Sequence, residues 1–111
     1  MKYKLLIVFD LFLIITGCAV LGSSLIESEI YEGTGKGFRG PVTVQVQMNG
    51  DDIVGINIID SMEDPFVGEA AMEELLDLVV LYNTTDIDVV SGATESSKGF
   101  LEAVENAIMR R

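Results

Sequence analysis

The chain lacks several residue types on which common protein chemistries depend. Its 111 residues include no histidine and no tryptophan, and Cys18 is the only cysteine. Histidine-dependent catalytic triads, zinc sites made of histidine and cysteine, and internal disulfides are therefore excluded. Any chemistry that the protein carries out must be supplied from elsewhere.

Positively charged residues are also few. The chain has 7 Lys and Arg against 18 Asp and Glu, which gives a formal net charge of −11. A field of that sign repels phosphate backbones, so nucleic acid is not expected as a partner. Free anionic cofactors are disfavoured for the same reason. The length leaves room for one compact domain with a modest core and one site.

The N-terminus has the pattern of an export signal. Lys2 and Lys4 precede an apolar stretch, residues 5–15, which has the length of a signal peptide. Asp10 interrupts this stretch, and an ionised aspartate near the middle of a spanning helix costs about 2.5–3.5 kcal/mol, which weakens the interpretation as a permanent anchor. The four residues that end at Cys18 (ITGC) resemble a bacterial lipobox, so that Cys18 would become the acylated first residue after cleavage.

Three interpretations of this segment stay open: a lipoprotein signal peptide, an uncleaved membrane anchor and the signal of a free secreted protein. All three export the domain, and the first two hold it at the bacterial cell membrane. We predict that residues 1–17 are the signal peptide or anchor, 18–30 a tether and 31–111 the folded domain. Cleavage before Cys18 leaves five basic and seventeen acidic side chains, so the exported part is even more acidic.

Residues 31–60 have the pattern of β-strands. Apolar side chains at every second position from Val42 to Met48 predict a strand with one face on the core. Asn49 and Gly50 predict a hairpin turn, which we expect to be a four-residue loop or to contain a bulge. The next run, 53–59, is more apolar throughout, which predicts an inner strand covered on both faces. Four glycines between positions 33 and 40 predict a pliable edge strand before this hairpin.

Two helices are expected after the strands. Asp64 can cap the first, with Pro65 at its first helical position. Residues 87–90 form a possible last strand, and a terminal helix begins near Glu95. The apolar faces of the two helices comprise Val67, Ala70, Ala71, Leu75, Leu78 and Val79 in the first, and Phe100, Leu101, Val104, Ala107 and Ile108 in the second. These elements predict an α+β fold, a small antiparallel sheet with two helices packed on it. The acidic side chains of the first helix are interpreted as a solvated face and not as a metal site.

A short segment of small residues joins the predicted last strand to the last helix. It reads Ser91, Gly92, Ala93, Thr94, and it permits a sharp turn and the close approach of a bulky group. Thr94 falls at or next to the N-cap of the helix, where a hydroxyl normally accepts a backbone N–H bond. Capping alone explains a threonine here, so the residues themselves leave a structural and a functional interpretation open.

The heptapeptide DVVSGAT, residues 88–94, resembles the flavinylation motif D-x-x-[ST]-G-A-[ST] of the FMN-binding domain family. That family includes subunits of sodium-translocating NADH:quinone reductase and of the Rnf complex. Its last hydroxyl residue is joined to the phosphate of FMN by a magnesium-dependent flavin transferase. The resemblance therefore implies covalent FMN on Thr94, with Gly92 and Ala93 in the cofactor site. It implies that Asp88 and Ser91 are flavin contacts or elements that the transferase recognises.

The likeness covers residues 31–109, because the glycine-rich opening and the final helix are also similar to those of small family members. One departure from the family pattern lies just before the first of the two predicted helices. Family members often have Thr-Pro-Gly-x-Gly there, whereas this chain keeps Gly68, an implied cofactor-binding residue, and has Phe66 in place of the first glycine. Phe66 either packs on the flavin ring or is a core or capping aromatic residue. Glu95 stands where relatives often have an aromatic residue.

The resemblance implies an extracytoplasmic electron carrier that is tethered to the membrane. It would take electrons from a membrane donor and pass them to an extracytoplasmic acceptor. No set of residues looks like a substrate site with its own acid and base, so a flavin-dependent reductase of a small molecule is a less favoured alternative. The other alternative is an exported binding module that never acquires flavin.

Overall fold

The computed structural model describes residues 28–111. The predicted lipobox, with Cys18, lies outside the described residues, as does the apolar segment before it. Within the described part, three antiparallel strands are followed by two helices, and the strand order in the sheet is β1-β2-β3. The elements are β1 (Glu29–Lys36), β2 (Pro41–Asn49), β3 (Asp52–Asp60), α1 (Gly68–Tyr82) and α2 (Thr94–Ile108). The predicted α+β fold is confirmed.

The central strand of the sheet is β2. Its alternating apolar side chains face the helices and are buried, as the period of two predicts. Asn49 pairs with Asp52, so the hairpin turn has two residues, and Gly50 adopts a φ of 63°, a left-handed conformation that favours glycine. The register between β2 and β3 shifts between Gln47 and Met48. The sequence allowed a four-residue loop or a bulge, and the structure has the bulge.

Two predictions about strands are wrong, and they share a cause. β3 is an edge strand that pairs only with β2, and its side chains Val54 and Ile59 are exposed. Residues 87–90, predicted as a possible last strand, form no strand. Two successive hairpins place the middle strand at the centre of a three-stranded sheet, and no fourth strand among residues 28–111 pairs with β3. The apolar character of β3 therefore does not mean that both of its faces are covered.

Helix α1 begins later than the sequence predicts. The carboxylate of Asp64 accepts the backbone N–H groups of Phe66 (2.8 Å) and Val67 (3.1 Å), but it caps a turn that precedes the helix. The helix itself starts at Gly68. Val67 therefore precedes the helix. Val67 and Ala70, predicted on its apolar face, are exposed, while Met72 is buried in the core.

Helix α2 packs closely against β1. A Cβ atom added to Gly35 would lie 2.0 Å from the carbonyl oxygen of Gly99, and one added to Gly33 would lie 2.1 Å from the carbonyl oxygen of Ala103. The glycines of β1 therefore permit close contact between strand and helix. The buried core lies between the sheet and the helices and includes Val42, Val44, Val46, Met72, Leu75, Val79, Phe100 and Val104. None of the helices formed by residues 28–111 is both long and apolar enough to cross a membrane.

Substitution of Gly35 by Ala should destabilise the fold, because the added methyl group would overlap the α2 backbone, which cannot move without disturbing the core. We expect the free energy of unfolding to fall by about 1–3 kcal/mol. Gly55→Ala in β3 is the matched control, since its Cβ would meet only the flexible side chain of Gln47 at 3.4 Å. Urea unfolding followed by far-ultraviolet circular dichroism measures both. Equal stability of the two variants would contradict the close packing of α2 on β1.

Candidate functional site

A cavity of about 480 Å³ opens where three segments of the chain meet. These segments are the β1–β2 loop, the stretch between β3 and α1, and the N-terminal turn of α2. Ligand cavities in proteins are typically about 300–1,000 Å³, so this one is large enough for a small organic ligand. The lining residues are Phe38, Arg39, Glu63, Asp64, Val67, Gly68, Gly92, Ala93, Thr94, Glu95 and Ser96.

A tight turn leads into α2 at the wall of this cavity. The N–H of Ala93 donates to the carbonyl oxygen of Val90 at 3.0 Å, and Gly92 has a φ of 87°. Glycine is favoured at this third turn position because it adopts positive φ without steric cost. The hydroxyl of Ser97 accepts the Val90 N–H (3.1 Å) and donates to the carbonyl oxygen of Ala93 (2.6 Å). The turn is therefore fixed to the first turn of the helix.

Thr94 is the first residue of α2, and its side chain is exposed at the cavity. The N-cap position belongs to Ala93, and no side chain makes a capping hydrogen bond to this helix. The capping role that the sequence allowed for Thr94 is therefore not seen. The first N–H groups of a helix have no intrahelical acceptor, and together with the helix dipole they favour an anion at this end. The Thr94 hydroxyl lies at that position.

A buried carboxylate joins the walls of the cavity. Glu63 is 4% exposed and accepts the backbone N–H groups of Phe38 (2.8 Å) and Arg39 (2.7 Å) in the β1–β2 loop. The hydroxyl of Ser96, in the first turn of α2, also donates to this carboxylate. Burial alone raises the pKa of the Glu63 carboxyl group, but its hydrogen bonds and the nearby charge of Arg39 outweigh burial and lower the pKa below the ordinary value of 4.5.

Gly68 makes the close contact of these walls possible. A Cβ atom at Gly68 would lie 2.8 Å from the Cβ of Glu63 and 2.9 Å from the hydroxyl oxygen of Ser96. Any larger residue would push the start of α1 away from the carboxylate. The structure therefore assigns Gly68 a packing role at the cavity wall.

The structure brings together four of the six residues that the sequence predicted for the site. Gly68, Gly92, Ala93 and Thr94 line the cavity, whereas Asp88 and Ser91 do not. Phe66 does not line the cavity either, and it is 88% exposed, so it is not a core residue. The sequence analysis missed Phe38, Arg39, Glu63 and Ser96 as parts of the site. No local pattern marks Glu63, because its partners are 24 to 33 residues away.

Substitution of Glu63 by Gln should destabilise the fold in a pH-dependent manner. An amide has no second acceptor oxygen for the loop N–H groups, so we expect a loss of about 1–3 kcal/mol near neutral pH. The folded pKa is lowered, so the contribution of the carboxylate is fully present above about pH 4.5 and is lost as the pH falls through the folded pKa. The difference between wild type and variant should therefore shrink at about pH 3. Urea unfolding at both pH values measures it.

Glu74→Gln, on the exposed surface of α1, is the matched control and should change the free energy of unfolding by less than about 0.5 kcal/mol. A loss of stability in Glu63→Gln that does not vary with pH would contradict the role of the ionised carboxylate.

Comparison with known proteins identifies the family. Residues 37–109, which include every residue of the cavity wall, match the sequence model of the FMN-binding domain. The chain is 39% identical over 104 residues to a urocanate reductase of Eggerthella lenta and 35% identical over 78 residues to an NADH:acrylate oxidoreductase of Vibrio harveyi. It is also 27% identical over 81 residues to an uncharacterized protein of Treponema pallidum.

The matches cover most of this chain but little of the relatives. The match to the urocanate reductase includes 86% of this chain and 17% of that protein. The match to the acrylate oxidoreductase includes 70% of this chain and 8% of that protein. The match to the uncharacterized protein includes 73% of this chain and 22% of that protein. The region of similarity is thus one small part of each longer protein. Because the family match extends over 73 of the 111 residues and contains the whole cavity wall, the chain belongs to the FMN-binding domain family.

Proposed function

We propose that this protein is an electron carrier in which FMN is attached through its phosphate to the hydroxyl of Thr94. The observation that carries this proposal is the position of Thr94. It is exposed at the wall of a ligand-sized cavity, at the N-terminus of a helix, and it makes no capping hydrogen bond. All three features suit a hydroxyl that is esterified to a phosphate.

The cavity suits the proposed group in size, and two cations lie near the proposed attachment point. Its volume of about 480 Å³ is in the range of small-molecule sites. Arg39 lines it, and Lys98 lies one helical turn after Thr94, where residues at i and i+4 share a face. These two cations and the positive end of the helix dipole attract a phosphate, although three carboxylates also line the cavity and Arg39 lies 3.9 Å from the carboxylate of Asp64. The phosphate would be held there, and the apolar surfaces of Phe38 and Val67 are available to the ring.

The ester bond also lowers the electrostatic cost of binding. Free FMN is close to a dianion, whereas the phosphodiester carries one negative charge. Three carboxylates, those of Glu63, Asp64 and Glu95, line the cavity and repel an anion. A covalent link keeps the ring near its pocket at an effective concentration of about millimolar, so a weak pocket is sufficient.

The cofactor would supply one-electron and two-electron chemistry, which no side chain of this protein provides. Two of the three carboxylates that line the cavity are engaged in hydrogen bonds with the protein itself. The Glu63 carboxylate accepts three hydrogen bonds and has a lowered pKa, and Asp64 accepts two backbone N–H groups. These groups hold the walls in place. The geometry therefore favours an electron carrier over a reductase that protonates a small-molecule substrate.

Maturation and location complete the proposal. A magnesium-dependent flavin transferase would form the ester, with Asp88 and Ser91 as elements that it recognises. Export would place the domain outside the cytoplasm, held at the bacterial cell membrane through acylated Cys18 or through an uncleaved N-terminal anchor. The carrier would then connect a membrane donor to an extracytoplasmic acceptor. Outside the cell, covalent attachment prevents loss of the cofactor by dilution.

Thr94→Ala should abolish flavin attachment. The full chain is coexpressed with a flavin transferase, denatured, and examined by gel fluorescence and mass spectrometry. Wild type should fluoresce and gain the mass of FMN less one water, whereas Thr94→Ala should show neither, because the acceptor hydroxyl is absent. Thr94→Ser keeps the hydroxyl and should retain the label.

Thr84→Ala, in the loop between the helices, is the matched control and should be labelled like wild type. Absence of label on wild type, under conditions that modify another family member, would contradict the proposal and favour the exported binding module.

The attached flavin should have a lower reduction potential than free FMN. Reduction adds negative charge, and the three carboxylates at the cavity oppose it more than the single arginine at its wall assists. Glu95→Gln should raise the potential of the attached flavin, since it removes an exposed carboxylate next to Thr94. A spectroscopic reductive titration against dyes of known potential measures both, with Glu105→Gln as the distant control. A potential above that of free FMN in wild type would contradict this electrostatic account.

A further inference from the structure

Four large apolar side chains that line the cavity or are adjacent in sequence to lining residues are exposed to solvent. Phe38 is 73% exposed, Met62 68%, Phe66 88% and Val67 51%. Phe38 and Val67 line the cavity, and the other two are chain neighbours of lining residues. We refer to these four residues as the rim patch.

The exposure of Met62 and Phe66, the two rim residues that do not line the cavity, has no explanation within the folded domain. The backbone N–H groups of Phe66 and Val67 donate to Asp64, but the Phe66 ring is almost fully in water. Exposed apolar side chains that cluster beside a functional site commonly mark an interaction surface. Aromatic side chains and methionine are enriched in protein–protein interfaces, which fits the composition of this patch.

The same stretch of chain carries negative charge next to the rim patch. Asp60, Glu69 and Glu73 line a shallow groove between the end of β3 and the start of α1. We call it the acidic groove. The cations nearest to the cavity, Arg39 and Lys98, belong to the β1–β2 loop and to α2, and neither lines this groove. The surface beside the start of α1 is therefore apolar at the cavity and acidic along the groove.

We propose that the rim patch and the acidic groove together form the docking surface for a redox partner protein, one whose contact face has an apolar centre and a lysine- or arginine-rich edge. This inference rests on the proposed function, because a partner seated here would lie at the mouth of the cavity in which the cofactor is held. Buried aromatic contacts would provide most of the affinity. The negative charges would provide orientation and fast association that weakens with salt.

The test measures binding and not electron transfer. The flavin-loaded full chain in a neutral detergent is titrated with a basic, lysine-rich cytochrome c in its ferric form, and the dissociation constant is measured by calorimetry at low and at physiological ionic strength. The double variant Met62→Ser, Phe66→Ser should weaken binding about tenfold or more, since it removes the two rim-patch side chains that do not line the cavity and leaves the cavity wall unaltered.

The matched control uses the opposite end of the same helix. Leu81 and Tyr82 are 70% and 63% exposed at the end of α1, and Leu81→Ser, Tyr82→Ser should leave the dissociation constant within about twofold of wild type. For the charges, Asp60→Lys, Glu73→Lys should weaken binding at low salt more than Glu32→Lys, Asp86→Lys, which makes the same change in net charge at exposed positions of β1 and of the loop between the helices.

Failure of wild type to bind, or equal weakening by the two apolar double variants, would overturn the docking surface. The Thr94→Ala chain separates this inference from the proposed function. Loss of flavin label together with unchanged cytochrome binding is expected, because Thr94 does not belong to the rim patch. Flavin label on wild type without cytochrome binding would reject the docking surface and leave the carrier function standing.

Discussion

The cavity depends on the buried carboxylate of Glu63. Burial of an ionised group is unfavourable unless hydrogen bonds compensate for the lost water. Here the compensation comes from two loop N–H groups and the Ser96 hydroxyl, which lie on two different segments of the chain. Hydrogen bonds to a charged acceptor are among the stronger ones in proteins. One side chain thus fixes the β1–β2 loop and the N-terminus of α2 relative to each other.

The packing of α2 on β1 positions Thr94 at the same cavity wall as the Glu63 carboxylate. α2 lies so close to β1 that a Cβ atom on Gly99 would be 2.6 Å from the Cα of Gly37. Gly37 also begins the loop whose N–H groups bind Glu63, and its own N–H donates to the carbonyl oxygen of Gly40 at 2.8 Å. The strand, the loop and the helix terminus are therefore connected through backbone contacts. A change in the glycine contacts would shift Thr94 as well as the loop.

The parts of this structure that were predicted from the sequence are those with local causes. The alternation in β2, the apolar face of α2 and the tight turn at Gly92 each result from residues within a few positions of one another. Glu63 could not be found in this way, because its environment is created by residues from distant segments. The same applies to β3, whose apolar sequence was interpreted as an inner strand. Its position depends on how many strands the sheet contains, which no window of the sequence determines.

The acidity of the chain has two opposite consequences at the proposed site. Carboxylates at the cavity disfavour the binding of a free phosphate dianion. The proposed ester to Thr94 would remove one negative charge from the phosphate of FMN. The covalent link would also hold the ring near the pocket, so that a low intrinsic affinity of the pocket is sufficient. The carboxylates at the cavity are then compatible with the attached cofactor. The negative charge of the acidic groove next to the exposed rim patch would accelerate association with a basic protein, since charges near an interface steer the encounter. The proposed covalent attachment of the cofactor and the proposed electrostatic attraction of a partner would thus follow from the same imbalance of charge.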